Sequence, residues 1–220
     1  MTVTPESVRE LLGSSDFSDR LHAINLIRQL EPTIAFELIQ TVIEDNNVRV
    51  RYAAVSQVAT LGKQDPAKAL ILLRGRMYRD SEADVQAAAA DAIGALQLTE
   101  AFDDLKQLYE RTSEWLVRFS IIATLGELGD PRGFELLEEA LKSDQELLRM
   151  VAIGSLGELG DARAIDLLIP FASDPDWQVR YRVTQALGRF KDAAARPILE
   201  KLATDEVSQI AQEAQAGLQA

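Results

Sequence analysis

Asp91 is the only carboxylate in the run AAAADAIGAL. A carboxyl group that loses solvation among apolar neighbours has its pKa raised, and it can then hand a proton to a leaving group near neutral pH. On a fully solvated helix face the same residue has no such use, so Asp91 is a candidate catalytic acid whose role depends on its surroundings. The rest of the familiar catalytic kits is missing. The chain has no cysteine and a single histidine, His22, which excludes thiolate nucleophiles, disulfides, thiolate metal sites and multi-histidine centres. His22 has neither a second ligand nor a paired acid in its repeat and reads as structural or solvated. There is no phosphate-binding glycine loop, no GxSxG elbow and no acidic metal spacing, so neither metal nor cofactor is expected.

Binding residues give a stronger signal. Tyr52, Phe119, Met150 and Tyr181 occupy one recurring place in the sequence, Trp115 and Trp177 precede two of them by four residues, and Arg182 and Arg49 lie close by. Large, partly apolar side chains recurring on an outward face mark a surface for a partner.

The elements that position these residues follow from an internal repeat. Arg20, Arg51, Gln86, Arg118, Arg149, Arg180 and Ala211 recur at steps of 31, 35, 32, 31, 31 and 31 residues, and the fragment ATLGELGD at 123–130 returns as GSLGELGD at 154–161. Counted from these anchors, apolar residues fall at −1, +3, +7 and +10, one narrow arc of a helix. A second helix precedes each anchor helix, as in PRGFELLEEALKS (131–143) and ARAIDLLIPFAS (162–173), opened by Asp-Pro or Asp-Ala. Gly129 and Gly160 suit helix stops. The unit is therefore helix-turn-helix, and about seven units stack into an all-α, HEAT-like solenoid, expected as a right-handed superhelix and one domain over residues 1–220. No segment alternates like a strand.

Three readings depend on which way the helices face. The +1 residues, about 165° from the buried arc, are expected on the outward, concave wall. Gly94, Gly126, Gly157 and Gly188 at +8 are expected on that same face, where they serve either close helix approach or a shallow floor. The anchor arginines, at the margin of the buried arc, are expected to pair with turn acids such as Asp144, Asp174 and Asp176 in a ladder between repeats. A net charge of −12 repels phosphate backbones, so no nucleic-acid partner is expected. The start MTVTPESVRELL has no signal-peptide pattern and no run reaches the roughly 20 apolar residues of a membrane span; a cytoplasmic address without membrane insertion is expected.

The unit D-x-x-V-R-x-x-A-x-x-x-L-G-x-L-G-D-x-R-A, with DPDWQVRYRVTQALGRF and TSEWLVRFSIIATLGELGDPRGFELLEEAL, resembles the phycobilisome-lyase class of HEAT-like repeats. VTPESVRELL, NNVRVRYAAVSQV and VQAAAADAIGAL extend the resemblance to the cyanobacterial phycobilisome-degradation proteins over essentially the whole chain. The resemblance implies phycobiliproteins (phycocyanin and allophycocyanin) and their bilin tetrapyrrole, phycocyanobilin, as partners during nutrient starvation, at an address peripheral to the thylakoid-attached antenna. It implies either a bilin lyase that detaches the chromophore or a non-enzymatic adaptor docking on the antenna or on another tetrapyrrole-pathway protein. It supplies no catalytic motif. With a bilin as ligand, Tyr52, Phe119, Tyr181, Trp115 and Trp177 would stack on the rings, Arg182 or Arg49 would pair with propionates, and Asp91 would protonate the chromophore or the departing thiolate. An exposed apolar strip is equally what a homodimer interface would present.

Overall fold

The computed structural model describes residues 3–219. Among them there is no strand, and fourteen α-helices run in seven pairs. Two compact units are distinguished, one through Ile121 and one from Ile122.

In the first unit the helices are α1 (Pro5–Leu12), α2 (Phe17–Ile27), α3 (Pro32–Gln40), α4 (Val48–Leu61), α5 (Pro66–Arg79), α6 (Ala83–Ala95) and α7 (Phe102–Arg111), with α8 (Trp115–Leu128) starting there. The second unit holds α9 (Phe134–Leu141), α10 (Glu146–Leu159), α11 (Arg163–Leu168), α12 (Trp177–Leu187), α13 (Arg196–Leu202) and α14 (Ser208–Gln219). Helix starts follow the local chemistry. Pro5, Pro32 and Pro66 open α1, α3 and α5, where a missing N–H costs nothing. Asp16, Asn47 and Asp176 cap α2, α4 and α12 by accepting a hydrogen bond from the N–H two residues on. Gly129 and Gly160 end α8 and α10 with φ of +63° and +72°, the left-handed conformation that glycine adopts without penalty. One first helix is shorter than its apolar pattern: α11 stops at Leu168 and continues as a 3-10 turn over Ile169–Ser173, because Pro170 has no N–H for the α-helical ladder.

The core is the expected arc. Ala23, Ala54, Ala89, Ile121, Ala152 and Val183 at +3 are fully buried, as are Ile27, Val58, Ile93, Leu125, Leu156 and Leu187 at +7. Within the first unit α2 packs on α4 and α4 on α6; within the second α10 packs on α12 and α12 on α14.

Three of the four glycines at +8 are not on an outward face; Gly188 alone is half-buried. Gly94, Gly126 and Gly157 are buried. A Cβ on Gly126 would lie 2.7 Å from the Cα of Ser155, and one on Gly157 would lie 2.7 Å from the Cα of Ala186. The +8 position of one repeat therefore meets the +6 backbone of the next, and only glycine lets the two helices touch. Gly126→Ala and Gly157→Ala are each expected to destabilise the protein by about 1–3 kcal/mol, the usual cost of overpacking. Gly154→Ala, whose Cβ would meet only the flexible Arg182 side chain at 3.6 Å, is expected to be neutral or to stabilise by up to about 1 kcal/mol. Urea unfolding of the three variants checks the contrast.

The arginine ladder exists, with other acids than Asp144, Asp174 and Asp176. Arg20 pairs with Asp45, Arg51 with Asp80 and Arg180 with Asp205, at 2.7, 2.7 and 2.8 Å. The acid sits six residues before the next anchor. Every anchor from Arg20 to Arg180, Gln86 included, also donates to the carbonyl six residues before itself. Asp144 is exposed, and Asp176 is occupied as the cap of α12.

Candidate functional site

Four residues apart on one helix means one turn apart on one face. The first unit shows this pairing twice, with Val48 and Tyr52 on α4 and Trp115 and Phe119 on α8; Tyr52 is 48 % and Trp115 51 % exposed, and Phe119 is half-buried. The equivalent residues of α6 are Ala83 and Ala87, the latter buried, so the strip drops to alanine there. Arg49 is exposed beside Val48. In the second unit Trp177, 43 % exposed, and half-buried Tyr181 repeat the pair on α12, and half-buried Met150 takes the corresponding place on α10. The aromatic residues thus stand at the N-terminal turns of their helices and keep solvent-facing surface, as a partner-binding strip requires. Leu147, at the start of α10, is a further large apolar residue with an exposed side chain, at 59 %. Sequence reasoning missed it because it lies one residue off the recurring column.

Asp91 lies one turn beyond Ala87 on α6. Its carboxylate reaches water, yet enough of the protein crowds it that desolvation raises its pKa, against the opposing effect of a hydrogen bond from the Ser120 hydroxyl. Both features are relevant to proton donation, because the acid stays protonated to a higher pH than an ordinary aspartate and remains accessible. Ser120 itself is buried. Asp91 stands at +5 and Ser120 at +2 of the following repeat. Gly154 and Arg182 hold the same two places, and there the Arg182 stem passes within ordinary contact distance of the glycine. This register between neighbouring repeats is readable from the sequence only once one contact of the kind is known.

Arg182 has no ion-pair or hydrogen-bond partner among the described residues. It lines an open groove of about 400 Å³ whose floor is Gly154, Ala186, Gly188 and Gly217. Arg189 and Glu158, 3.5 Å apart, border the same groove. None of the aromatic residues lines it, and neither does Asp91, so the proposed acid and this cavity are separate features. His22 is exposed. No group of three or more His, Asp or Glu side chains that would hold a metal ion occurs among the described residues, and no helix there is long and apolar enough to cross a membrane.

Comparison with known proteins gives a consistent picture. The model of HEAT repeats matches residues 5–92, 76–153 and 135–219. No curated protein matches the chain in sequence. Among solved structures it is similar to a chain in the complex of CpcE and CpcF of phycocyanin lyase from Nostoc sp. PCC7120, at 18 % identity and a TM-score of 0.65, covering 100 % of this chain and 95 % of that one. It is also similar to YibA of Escherichia coli, at 18 % identity and a TM-score of 0.69, over 98 % and 81 % of the two chains. An archaeal HEAT-like repeats protein from Thermococcus onnurineus NA1 matches at 15 % identity and a TM-score of 0.55, over 100 % and 97 %. Identities this low speak for the fold alone.

Proposed function

This chain belongs to the HEAT-repeat family, and from that premise we propose that it is a phycobiliprotein-binding factor of phycobilisome degradation, of the NblB type. One helix face of each repeat is consumed by stacking and the other is left for partners. The observation that carries the reading is the aromatic pair at the same helical turn in both units, exposed Trp115 with half-buried Phe119 and exposed Trp177 with half-buried Tyr181. Such pairs suit a protein surface and the flat conjugated rings of a bilin alike. Arg182, with its guanidinium free over a glycine-floored groove, and exposed Arg49 suit the carboxylates of a propionate-bearing chromophore. The fold shared with a chain of phycocyanin lyase and the sequence resemblance support the choice of partner, phycocyanin or allophycocyanin.

Asp91 favours a second reading, in which the protein also detaches the bilin. Elimination of the thioether breaks the C–S bond, forms a C=C bond in the bilin as the adjacent carbon gives its proton to solvent water, and leaves a cysteine thiolate that Asp91 would protonate. One experiment separates the readings. Purified protein is mixed with phycocyanin, co-elution is followed under native conditions, and bilin absorbance on the phycobiliprotein band is followed after denaturing separation. Co-elution with the bilin retained is the result expected of a binding factor. Time-dependent bilin loss that disappears in Asp91→Asn establishes the lyase. Absence of both co-elution and bilin loss overturns the two readings together.

A further inference from the structure

Three rungs of the arginine ladder are closed in one geometry. The Nε and Nη2 edge of the arginine grips both carboxylate oxygens: Arg20 on Asp45 at 2.7 and 3.0 Å, Arg51 on Asp80 at 2.7 and 2.8 Å, and Arg180 on Asp205 at 2.8 and 3.1 Å. Arg149 and Asp174 hold the same two places, with the same 25-residue separation as the first and last of these pairs. Their secondary contacts are the usual ones. Arg149 Nη1 donates to the carbonyl of Ser143 at 2.9 Å, as Arg51 does to that of Asp45. Asp174 Oδ1 accepts from the N–H of Asp176 at 2.8 Å, as Asp45 Oδ1 does from that of Asn47.

The ion pair itself is missing. The Nε and Nη2 edge of Arg149 and the second carboxylate oxygen of Asp174 have no hydrogen-bond partner among the described residues. The 3-10 turn Ile169–Ser173, unlike any other connection into a ladder acid in this chain, supplies a local cause. A 3-10 helix rises about 0.5 Å more per residue than an α-helix, so five residues carry Asp174 about 2.5 Å further along. The opened rung is a groove of about 230 Å³, walled by Met150, Ile153, Phe171 and Val179, with Arg149 and Asp174 both lining it beside two further carboxylates, Glu146 and Asp176.

We propose that this open rung binds a free apolar α-amino acid. Its carboxylate takes, on the Nε and Nη2 edge of Arg149, the place that an aspartate fills in the closed rungs. Its ammonium group donates to Asp174, with the Glu146 and Asp176 carboxylates adding attraction, and its side chain lies against Met150, Ile153, Phe171 and Val179. Charge selects this class: a dicarboxylate would set a second negative group against Asp174, Asp176 and Glu146, a diamine would satisfy the carboxylates but leave the Nε and Nη2 edge of Arg149 without an anion, and an internal peptide amide would leave both signs of charge uncompensated. Size agrees, because the groove is smaller than the roughly 300–1,000 Å³ of drug-sized pockets. The inference is independent of any phycobiliprotein.

Calorimetric titration of the full-length chain with L-leucine tests it. Saturable binding of one molecule with a Kd below about 1 mM is expected, and N-acetyl-L-leucinamide, which lacks both charges, is expected not to bind. Arg149→Gln keeps the contact to the carbonyl, as Gln86 does with that of Asp80 at 2.9 Å, so this variant retains the wild-type Tm. It and Asp174→Asn should each weaken leucine binding at least about tenfold, since each removes one of two charge-assisted contacts. No saturable binding by the wild-type protein, equal binding of the neutral amide, or undiminished binding by well-folded Arg149→Gln would each overturn the proposal.

Discussion

Asp80→Ala lowers the unfolding free energy by about 3–5 kcal/mol, the expected cost of removing one member of a buried ion pair. The Asp80 side chain is 1 % exposed and receives Arg51 through two hydrogen bonds, the N–H of Glu82 at 3.2 Å, and Arg76 at 3.5 Å. Truncation leaves the Arg51 guanidinium, itself mostly covered, without its carboxylate and uncouples two successive repeats at once. Asp80→Asn, which keeps an acceptor for one guanidinium N–H but turns an amide donor toward the other, is expected to lose less. Guanidinium chloride unfolding of both variants measures the order, and a loss below about 1 kcal/mol for Asp80→Ala would show that the rung contributes no more than a surface pair.

The same carboxylate makes stability depend on pH. Burial alone would raise the pKa of Asp80, but Arg51, the Glu82 N–H and Arg76 together outweigh it and hold the group below the ordinary carboxylate range. Asp205 is likewise lowered, by its hydrogen bonds from Arg180, against some desolvation. A folded-state pKa below the unfolded value of about 3.9 means that the unfolded chain binds protons first as pH falls. The stabilisation is therefore complete well above pH 4 and is lost as pH falls through the folded-state values. Asp80→Asn should flatten that part of the acid unfolding profile.

The fold was legible because each repeat writes its buried arc in full. Ala23, Ala54, Ala89, Ile121, Ala152 and Val183 sit where the helical period puts them, and left-handed Gly129 and Gly160 end their helices as expected. What could not be read was anything set by the register between neighbouring helices. Gly126 and Gly157 are about 145° from the centre of the buried arc by helical angle alone, and they are buried only because the next helix arrives there. The ladder illustrates the same limit: arginine periodicity announces a ladder, but the partner acids Asp45, Asp80 and Asp205 follow from a 25- or 29-residue reach across the turn. Asp91 was recognisable as an isolated acid in an alanine run. Its partner Ser120 was not, because nothing local links residues on successive anchor helices.

Trp177→Ala with Tyr181→Ala is expected to weaken phycocyanin binding at least about thirtyfold, and Trp115→Ala with Phe119→Ala to do the same independently. Aromatic residues that keep exposed surface while anchored on a helix are the usual centres of interface energy, each contributing about 2 kcal/mol or more. Trp115 and Trp177 are the first residues of their helices and stand largely clear of the core, so their truncation leaves the buried arc intact; far-UV circular dichroism and Tm should stay near wild type. Phe119 and Tyr181 are half-buried, and a modest drop in Tm is expected from them alone. Testing the pairs separately matters because they belong to different compact units. Loss from both pairs identifies one extended surface, since a partner held by a single patch would respond to one pair and ignore the other. Loss from one pair assigns docking to that unit, and Arg182→Ala or Arg49→Ala then becomes the next variant on its side. Unchanged binding in both, with the proteins folded, removes the aromatic faces from the interface and with them the observation on which the binding function rests.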